Sequence, residues 1–101
     1  MIYNFNYAKA IGQASQIEAV ADDMRNLASG RLRGALDSIN AAWDGETSKL
    51  FLRHGEETKQ RITARANELT KLAERIRQVA RILKEAEERA RREIENLSRR
   101  C

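Results

Sequence analysis

The stretch Ala41-Ala42-Trp43-Asp44-Gly45-Glu46-Thr47-Ser48 decides the fold, because it separates two long segments that both have the pattern of an amphipathic helix. Asp44-Gly45 is a turn signal, since glycine adopts positive φ without steric cost. Glu46 and Thr47 suit a helix start, where side-chain oxygens bind free amide groups and an acid opposes the positive end of the dipole. The sequence therefore predicts a helical hairpin that turns at residues 43–46.

The segment before the bend predicts one helix over residues 7–42. At steps of about 100° per residue, its apolar side chains fall on one face. The residues predicted to pack in the core and dimer are Ile17, Met24, Ala28, Leu32, Ala35 and Ile39. Gly30 and Gly34 lie one turn apart, and two interpretations stay open. They are either weak points that each cost about 1 kcal/mol relative to alanine, or the mark of a close crossing with a partner helix.

The segment after the bend predicts a second helix over residues 47–97. Its apolar residues recur every seven positions, which favours left-handed packing of nearly antiparallel helices. The residues predicted to pack in the core and dimer are Phe51, Ile62, Leu69, Ile76 and Leu83. Because this helix is longer than the first, we expect its end to extend past the hairpin as a solvated helix.

Length limits what this hairpin achieves alone. The chain has 101 residues and no proline, which suits a single domain over residues 1–101. Two helices each cover only one side of the other, and a short chain buries a small fraction of its surface. We therefore predict an all-α protein, an antiparallel helix-turn-helix hairpin that dimerises into a four-helix bundle.

The charges indicate a solvated surface more than a nucleic-acid arm. The 19 basic and 15 acidic residues give a net charge of +4, but opposite charges alternate along both helices, as on a solvated face. Sequence-independent binding to nucleic acid needs clustered basic residues. Such binding stays a weak alternative, based on Arg89, Arg91, Arg92, Arg99 and Arg100, a patch that Glu87, Glu88, Glu93 and Glu95 dilute.

Catalytic and metal-binding patterns are not recognisable in the sequence. His54 is the only histidine and Cys101 the only cysteine, and metal sites need clustered ligands. Phosphate-binding loops and nucleophile elbows have no counterpart here. We therefore predict no enzyme activity, no cofactor and no metal. No apolar run approaches the ~20 residues of a membrane span, and the N-terminus lacks the pattern of a signal peptide.

Trp43-Asp44-Gly45 is a Trp-X-Gly motif near the middle of a chain of about one hundred residues, between two long helical segments. In this combination the chain resembles the WXG family of small type VII secretion substrates, the early secreted antigenic target-like proteins. The resemblance covers essentially the whole chain. It implies hairpins that pair into four-helix bundles, fold in the bacterial cytoplasm and leave the cell folded through a machine driven by a membrane ATPase. The protein is then extracellular or on the cell surface, without a cleaved signal peptide.

The resemblance also implies an export signal near the end of the second helix. One branch of the family uses Tyr-xxx-Asp/Glu there, but this chain has no tyrosine after Tyr7. A looser form has an apolar residue, an acid four positions later, and apolar residues three and seven positions further on. The residues that match it are Leu83, Glu87, Ala90 and Ile94. The alternative interpretation is ordinary heptad packing with one charge beyond the hairpin.

Two functions stay open for such a hairpin. The first is a homodimeric secreted substrate. The second is a targeting partner or chaperone that forms a heterodimer with a larger secreted toxin or effector of the LXG type. Trp43 and Gly45 are predicted to act first as structural residues of the bend, and the resemblance adds a composite recognition surface with the partner's second helix.

Overall fold

The structure, a computed structural model, describes residues 5–43 and 45–100. Every described residue is helical, apart from two before the first helix and two at the bend. The prediction of an all-helical, hairpin-like chain is confirmed in this form. The parts of the sequence interpretation that concern Asp44 and Cys101 lie outside the described residues.

The chain forms two arms of unequal length. In order, the elements are α1 (Tyr7–Asn26), a π-helical segment (Leu27–Leu32), α2 (Arg33–Ala42) and α3 (Glu46–Arg100). The first three are continuous and form the short arm, which the side chain of Asn6 caps by accepting a hydrogen bond of 2.9 Å from the amide of Lys9. The 55 residues of α3 span about 82 Å at 1.5 Å each. They account for the long dimension of a molecule that measures 85 × 17 × 15 Å.

The bend combines a helix end with one left-handed residue. The backbone of Trp43 is extended (φ −109°, ψ 136°), and its amide donates to the carbonyl of Ile39 at 2.8 Å. Gly45 has φ +88°, a conformation that residues with a Cβ rarely adopt. The ring of Trp43 lies 5.3 Å from that of Phe51, tilted by 59°, so an aromatic pair bridges the bend to the first turns of α3.

Alanine forms the contact between the arms along most of the hairpin. We call this contact the alanine ladder; its members are Ala14, Ala21 and Ala28 on the short arm and Ala66, Ala73 and Ala80 on α3, all at most 1% exposed. Each series repeats every seven residues, which keeps its members on one stripe of a helix. Methyl groups at these positions allow the two helix axes to approach closely.

The register of the ladder follows from two polar contacts between the arms. Arg77 contacts Glu18, and Arg25 contacts Thr70. A step of seven residues forward on α1 therefore corresponds to seven residues backward on α3, as in antiparallel helices. The same register places Ala21 level with Ala73.

The π-helical segment shifts the pattern of the short arm by one residue. A strict repeat of seven after Ala28 would bring Ala35 to the interface, but Ala35 is exposed and Leu36 is buried instead. A π turn accommodates one extra residue and rotates the rest of the arm by one position. Leu36 then packs against Gly55, where a Cβ would lie only 3.0 Å from the Cδ1 atom of Leu36. The absence of a side chain at Gly55 is thus what admits Leu36.

The core of the hairpin is small. Apart from Leu36, the buried apolar residues are the six ladder alanines, and among the described residues no large side chain is fully buried. Burial of a methyl group contributes about 0.8 kcal/mol, so the ladder stabilises the hairpin modestly. The larger aliphatic side chains lie beside the ladder and keep part of their surface in solvent.

Candidate interaction surfaces

One side of the alanine ladder is closed by polar side chains, and we call it the polar flank (Glu18, Arg25, Thr70 and Arg77). The guanidinium of Arg77 donates two hydrogen bonds to the carboxylate of Glu18, at 2.7 and 2.8 Å. One heptad closer to the bend, Arg25 donates to the hydroxyl of Thr70 at 2.6 Å and to the side-chain oxygen of Asn67 at 3.0 Å. These charge-assisted contacts fix the two arms in one register.

The pairing of Glu18 with Arg77 changes the acidity of both groups. Hydrogen bonds from Arg77 hold the pKa of Glu18 below its ordinary value of 4.5, because they stabilise the charged carboxylate. The same hydrogen bonds raise the pKa of Arg77. The two side chains remain partly accessible to water, with 38% and 26% of their surfaces exposed, so screening limits their contribution to stability.

The opposite side of the ladder is open, and we call it the apolar flank (Val20, Leu27, Leu72 and Val79). Each of these residues precedes a ladder alanine by one position, whereas Glu18, Arg25, Thr70 and Arg77 lie on the other side of the helices. All four apolar side chains are between 45% and 51% exposed. A shallow groove lined by Phe5, Ala10, Leu72, Arg75, Ile76, Val79 and Ala80 runs along the same side.

The apolar flank is unusual for the surface of a monomer. Contiguous large apolar side chains are more often buried by an interaction than left in water. Burial of the remaining half of one such side chain contributes roughly 1 kcal/mol. The flank therefore suits another helical surface of similar composition.

A second exposed apolar group lies at the bend. The side chains of Trp43 and Phe51 are 44% and 49% exposed although their rings contact each other. Leu50, next to Phe51, is exposed as well. Trp43 and Gly45, predicted as the turn motif, thus lie at the corner of the hairpin and present an aromatic surface there.

The last part of α3 extends beyond the short arm. From residue 88 to residue 100 every residue is exposed, and Ile94 and Leu97 are the most exposed of its large apolar side chains, at 64% and 61%. Leu83, Glu87, Ala90 and Ile94 all belong to this uninterrupted helix. Their spacing of four, three and four residues places them on one side of it.

The residues predicted from the sequence to pack in the core and dimer divide into three groups in the single chain. Ala28 is buried. Ile17, Met24, Leu32, Ile39, Ile62, Leu69 and Ile76 are half-buried, and Ala35, Phe51 and Leu83 are exposed. Gly30 and Gly34 face open space, with no atom within 4 Å of a Cβ built on either, so neither marks a close crossing inside the hairpin.

Sequence reasoning missed two features of these surfaces. It interpreted the alternating charges of both helices as a solvated face, although Arg25 and Arg77 reach across to the other arm. It also extended the stripe of the short arm through Ala35. The signal for the shift was present, because the large aliphatic residues between Ala28 and Trp43 are Leu32, Leu36 and Ile39, which follow Ala28 at steps of four, four and three residues.

Neither a cluster of metal ligands nor a membrane-spanning helix is observed in the part of the chain that the structure describes. Within residues 5–43 and 45–100, no three histidine, cysteine or acidic side chains gather as metal ligands would. The helices of the same residues are too polar, for their length, to cross a bilayer.

Compared with protein families, with curated proteins and with solved structures, the chain has no significant match. Its function is therefore inferred from the polar and apolar flanks, the bend and the end of α3, together with the resemblance of the central motif.

Proposed function

We propose that this protein is a small, non-catalytic WXG-type protein that pairs with a second copy of itself into a four-helix bundle. In this proposal a type VII secretion system, driven by its membrane ATPase, exports the folded dimer from the bacterial cytoplasm. The observation that carries the proposal is the Trp-X-Gly bend. Trp43 ends the short arm, and Gly45 has the positive φ of the turn. The bend thus joins two helical arms of unequal length.

The apolar flank supports the pairing. The hairpin alone buries mainly alanine, whereas most of its large aliphatic side chains lie half-exposed beside the ladder. A second copy that lies against this flank buries Val20, Leu27, Leu72 and Val79 on both protomers at once, because a two-fold interface uses the same patch twice. The polar flank, whose charges already pair within one chain, stays in solvent.

The association state is tested by size-exclusion chromatography with light scattering on the purified chain. We expect a monodisperse dimer with strong helical circular dichroism and a cooperative melt. Leu72→Asp on the apolar flank is expected to yield monomers, whereas Lys71→Asp, at an exposed position next to it, keeps the dimer. A wild-type chain that is a stable, cooperatively folded monomer contradicts the proposal.

The export step is tested in a bacterial host that carries a type VII system, with and without its ATPase. We expect the protein in the culture medium only when the ATPase is active. Glu87→Ala should leave the helix content unchanged, since alanine is the strongest helix former, yet reduce export. Glu88→Ala, one position outside the predicted signal, is the matched control. Equal export of the two variants removes Glu87 from the signal.

The second candidate function is that of a helical targeting partner or chaperone for a larger LXG-type toxin or effector. The small core favours it, because a hairpin held mainly by alanines folds fully only when another surface covers its flank. This candidate predicts a lone chain that is partly unfolded or aggregated. It also predicts that co-expression with the related helical domain restores a cooperative melt, and a stable homodimer excludes it.

A further inference from the structure

The alanine ladder ends in a layer of different chemistry. Seven residues before Ala14 stands Tyr7, and seven residues after Ala80 stands Glu87. The repeat that places alanines at the interface therefore places an aromatic ring and a carboxylate at its last position. The first turn of α1 thus meets α3 at the acid of the predicted export signal.

Exposure along α3 shows that the acid is covered. From residue 81 to residue 100, Glu87 is the one residue that is half-buried, and all the others are exposed. A groove at this point is lined on one side by Phe5, Asn6 and Tyr7, and on the other by Lys84, Glu87, Glu88 and Arg91. The ammonium of Lys84 lies 4.5 Å from the centre of the Tyr7 ring. Such a cation–π contact holds the ring against α3.

We propose that the first turn of α1 is a cover over Glu87, which opens before that carboxylate binds a cationic group of the export machinery. This inference rests on the proposed function, because it gives Glu87 a role in export. Glu87, half-buried by the chain's own residues, offers only part of its surface to an external cation. Opening of the cover exposes it on the side of α3 that otherwise faces the short arm.

The architecture makes this opening local. The contact of Tyr7 with Lys84 holds the first turn of α1 against α3, whereas the Asn6 cap closes only the turn itself. Helix ends open more readily than helix centres. The ladder begins one heptad later, at Ala14, so the turn can open while the rest of the hairpin stays paired. The cover regulates access to the signal without unfolding the protein.

Thiol accessibility tests the cover independently of export. In a chain with Cys101→Ser, we compare the alkylation rates of Glu87→Cys and Glu88→Cys. We expect the thiol at 87 to react several-fold more slowly than the thiol at 88. Tyr7→Ala should abolish the difference, whereas Lys9→Ala, an exposed position in the same turn, should preserve it. Equal rates in the parent chain, or a difference that survives Tyr7→Ala, overturn the proposal.

A second variant guards against loss of folding in Tyr7→Ala, which circular dichroism would reveal. Lys84→Gln removes the ammonium group that contacts the Tyr7 ring, and it keeps a residue of similar helix propensity in α3. We expect it to raise the rate at 87 in part, and a rate equal to that of the parent chain counts against the cover.

Export then tests the regulatory role. In the chain with Glu87, Tyr7→Ala is expected to increase the fraction exported, and this increase should vanish when Glu87→Ala is added. Unchanged export of Tyr7→Ala, in a host that exports the wild type, overturns the role of the cover. If the wild type is not exported while the alkylation difference is present, the proposed function fails and the cover over Glu87 stands.

Discussion

The two halves of the hairpin interface are built differently. In the ladder half, both arms contribute alanine at each buried position. Ala14 lies opposite Ala80 at one end of this half, and Ala28 lies opposite Ala66 at the other. In the corner half, one arm contributes the leucine side chain of Leu36 and the other contributes the space at Gly55. The two halves meet at the π-helical segment, which contains the last ladder alanine of the short arm, Ala28.

The difference shows how each half keeps its register and which half leaves apolar surface uncovered. A row of methyl groups is smooth and fits equally well after a small slide, whereas a leucine that fills the space over one glycine fits in one position only. The ladder keeps its register through the polar flank and gains little stability from its alanines. The half-buried aliphatic residues beside it are then the main source of further stability, once another surface covers them.

The largest expected effect tests that dependence. Ile76→Asp places a charge beside the ladder, where Ile76 is half-buried in the single chain and is expected to become fully buried in a dimer. An unpaired buried charge costs roughly 3–5 kcal/mol, so we expect loss of the cooperative thermal transition in circular dichroism. Gln78→Asp, two residues away at an exposed position, should change stability by less than about 0.5 kcal/mol. A normal melt of Ile76→Asp would show that this side of the ladder stays in solvent.

Two single-residue deletions, one in each part of the short arm, test the two halves separately. Their expected effect on stability is intermediate between those of the other predictions. Deletion of Gly30 removes the extra residue of the π-helical segment, so that Leu36 follows Ala28 by seven positions in a continuous α-helix. We expect stability within about 1 kcal/mol of the wild type, because a helical glycine is also removed. Deletion of the exposed Ala19 rotates Ala14 away from the stripe of Ala21 and should lower the melting temperature strongly.

The outcome of the deletions decides whether the π-helical segment corrects the register. If both deletions destabilise the chain equally, the segment has another role and the shift from Ala35 to Leu36 is incidental. Chemical denaturation of the three proteins, followed by circular dichroism, makes the comparison in one experiment.

The smallest expected effect concerns the polar flank and its pH dependence. The pKa of Glu18 is lowered in the folded chain, so its pair with Arg77 stabilises the fold fully above the ordinary pKa of 4.5 and less as pH falls through the folded value. We expect Glu18→Gln to lose less stability than the wild type when the pH is lowered below about 5. Glu68→Gln, whose partner Arg65 lies on the same helix, is the control, and it should follow the wild type. Identical pH profiles of Glu18→Gln and the wild type would contradict the stabilising role of the pair.

Much of the architecture was accessible from the sequence because it depends on local signals. The turn beside Gly45 and the periodic apolar stripes are each set by residues close together in the chain. The cross-helix contacts of Arg25 and Arg77 were not accessible, because a single sequence does not give the register between two helices. Arginine in a charged stretch is usually solvated, and only the position of the opposite arm distinguishes these two.

The location of the core was also predicted incompletely. A stripe contains large and small apolar residues, and hydrophobicity alone favours Ile76 or Leu69 over Ala73 as the innermost position. Close approach of two helices reverses that order, since the smallest side chain occupies the centre and the larger ones move to the sides. The prediction that Ala35 faces the interface assumed a constant step of about 100° per residue. A π turn breaks that assumption, because it adds one residue to the helix turn before Ala35.

The narrow cross-section of the hairpin, which is two helices wide, has a consequence for any channel that carries the protein in its folded state. Because alanines draw the arms together, one hairpin that travels lengthwise needs an opening only two helices wide. A second hairpin on the apolar flank widens this by about 10 Å in one direction. A conduit with an elongated slot of that size would admit the pair end-on and exclude most globular proteins of the same mass.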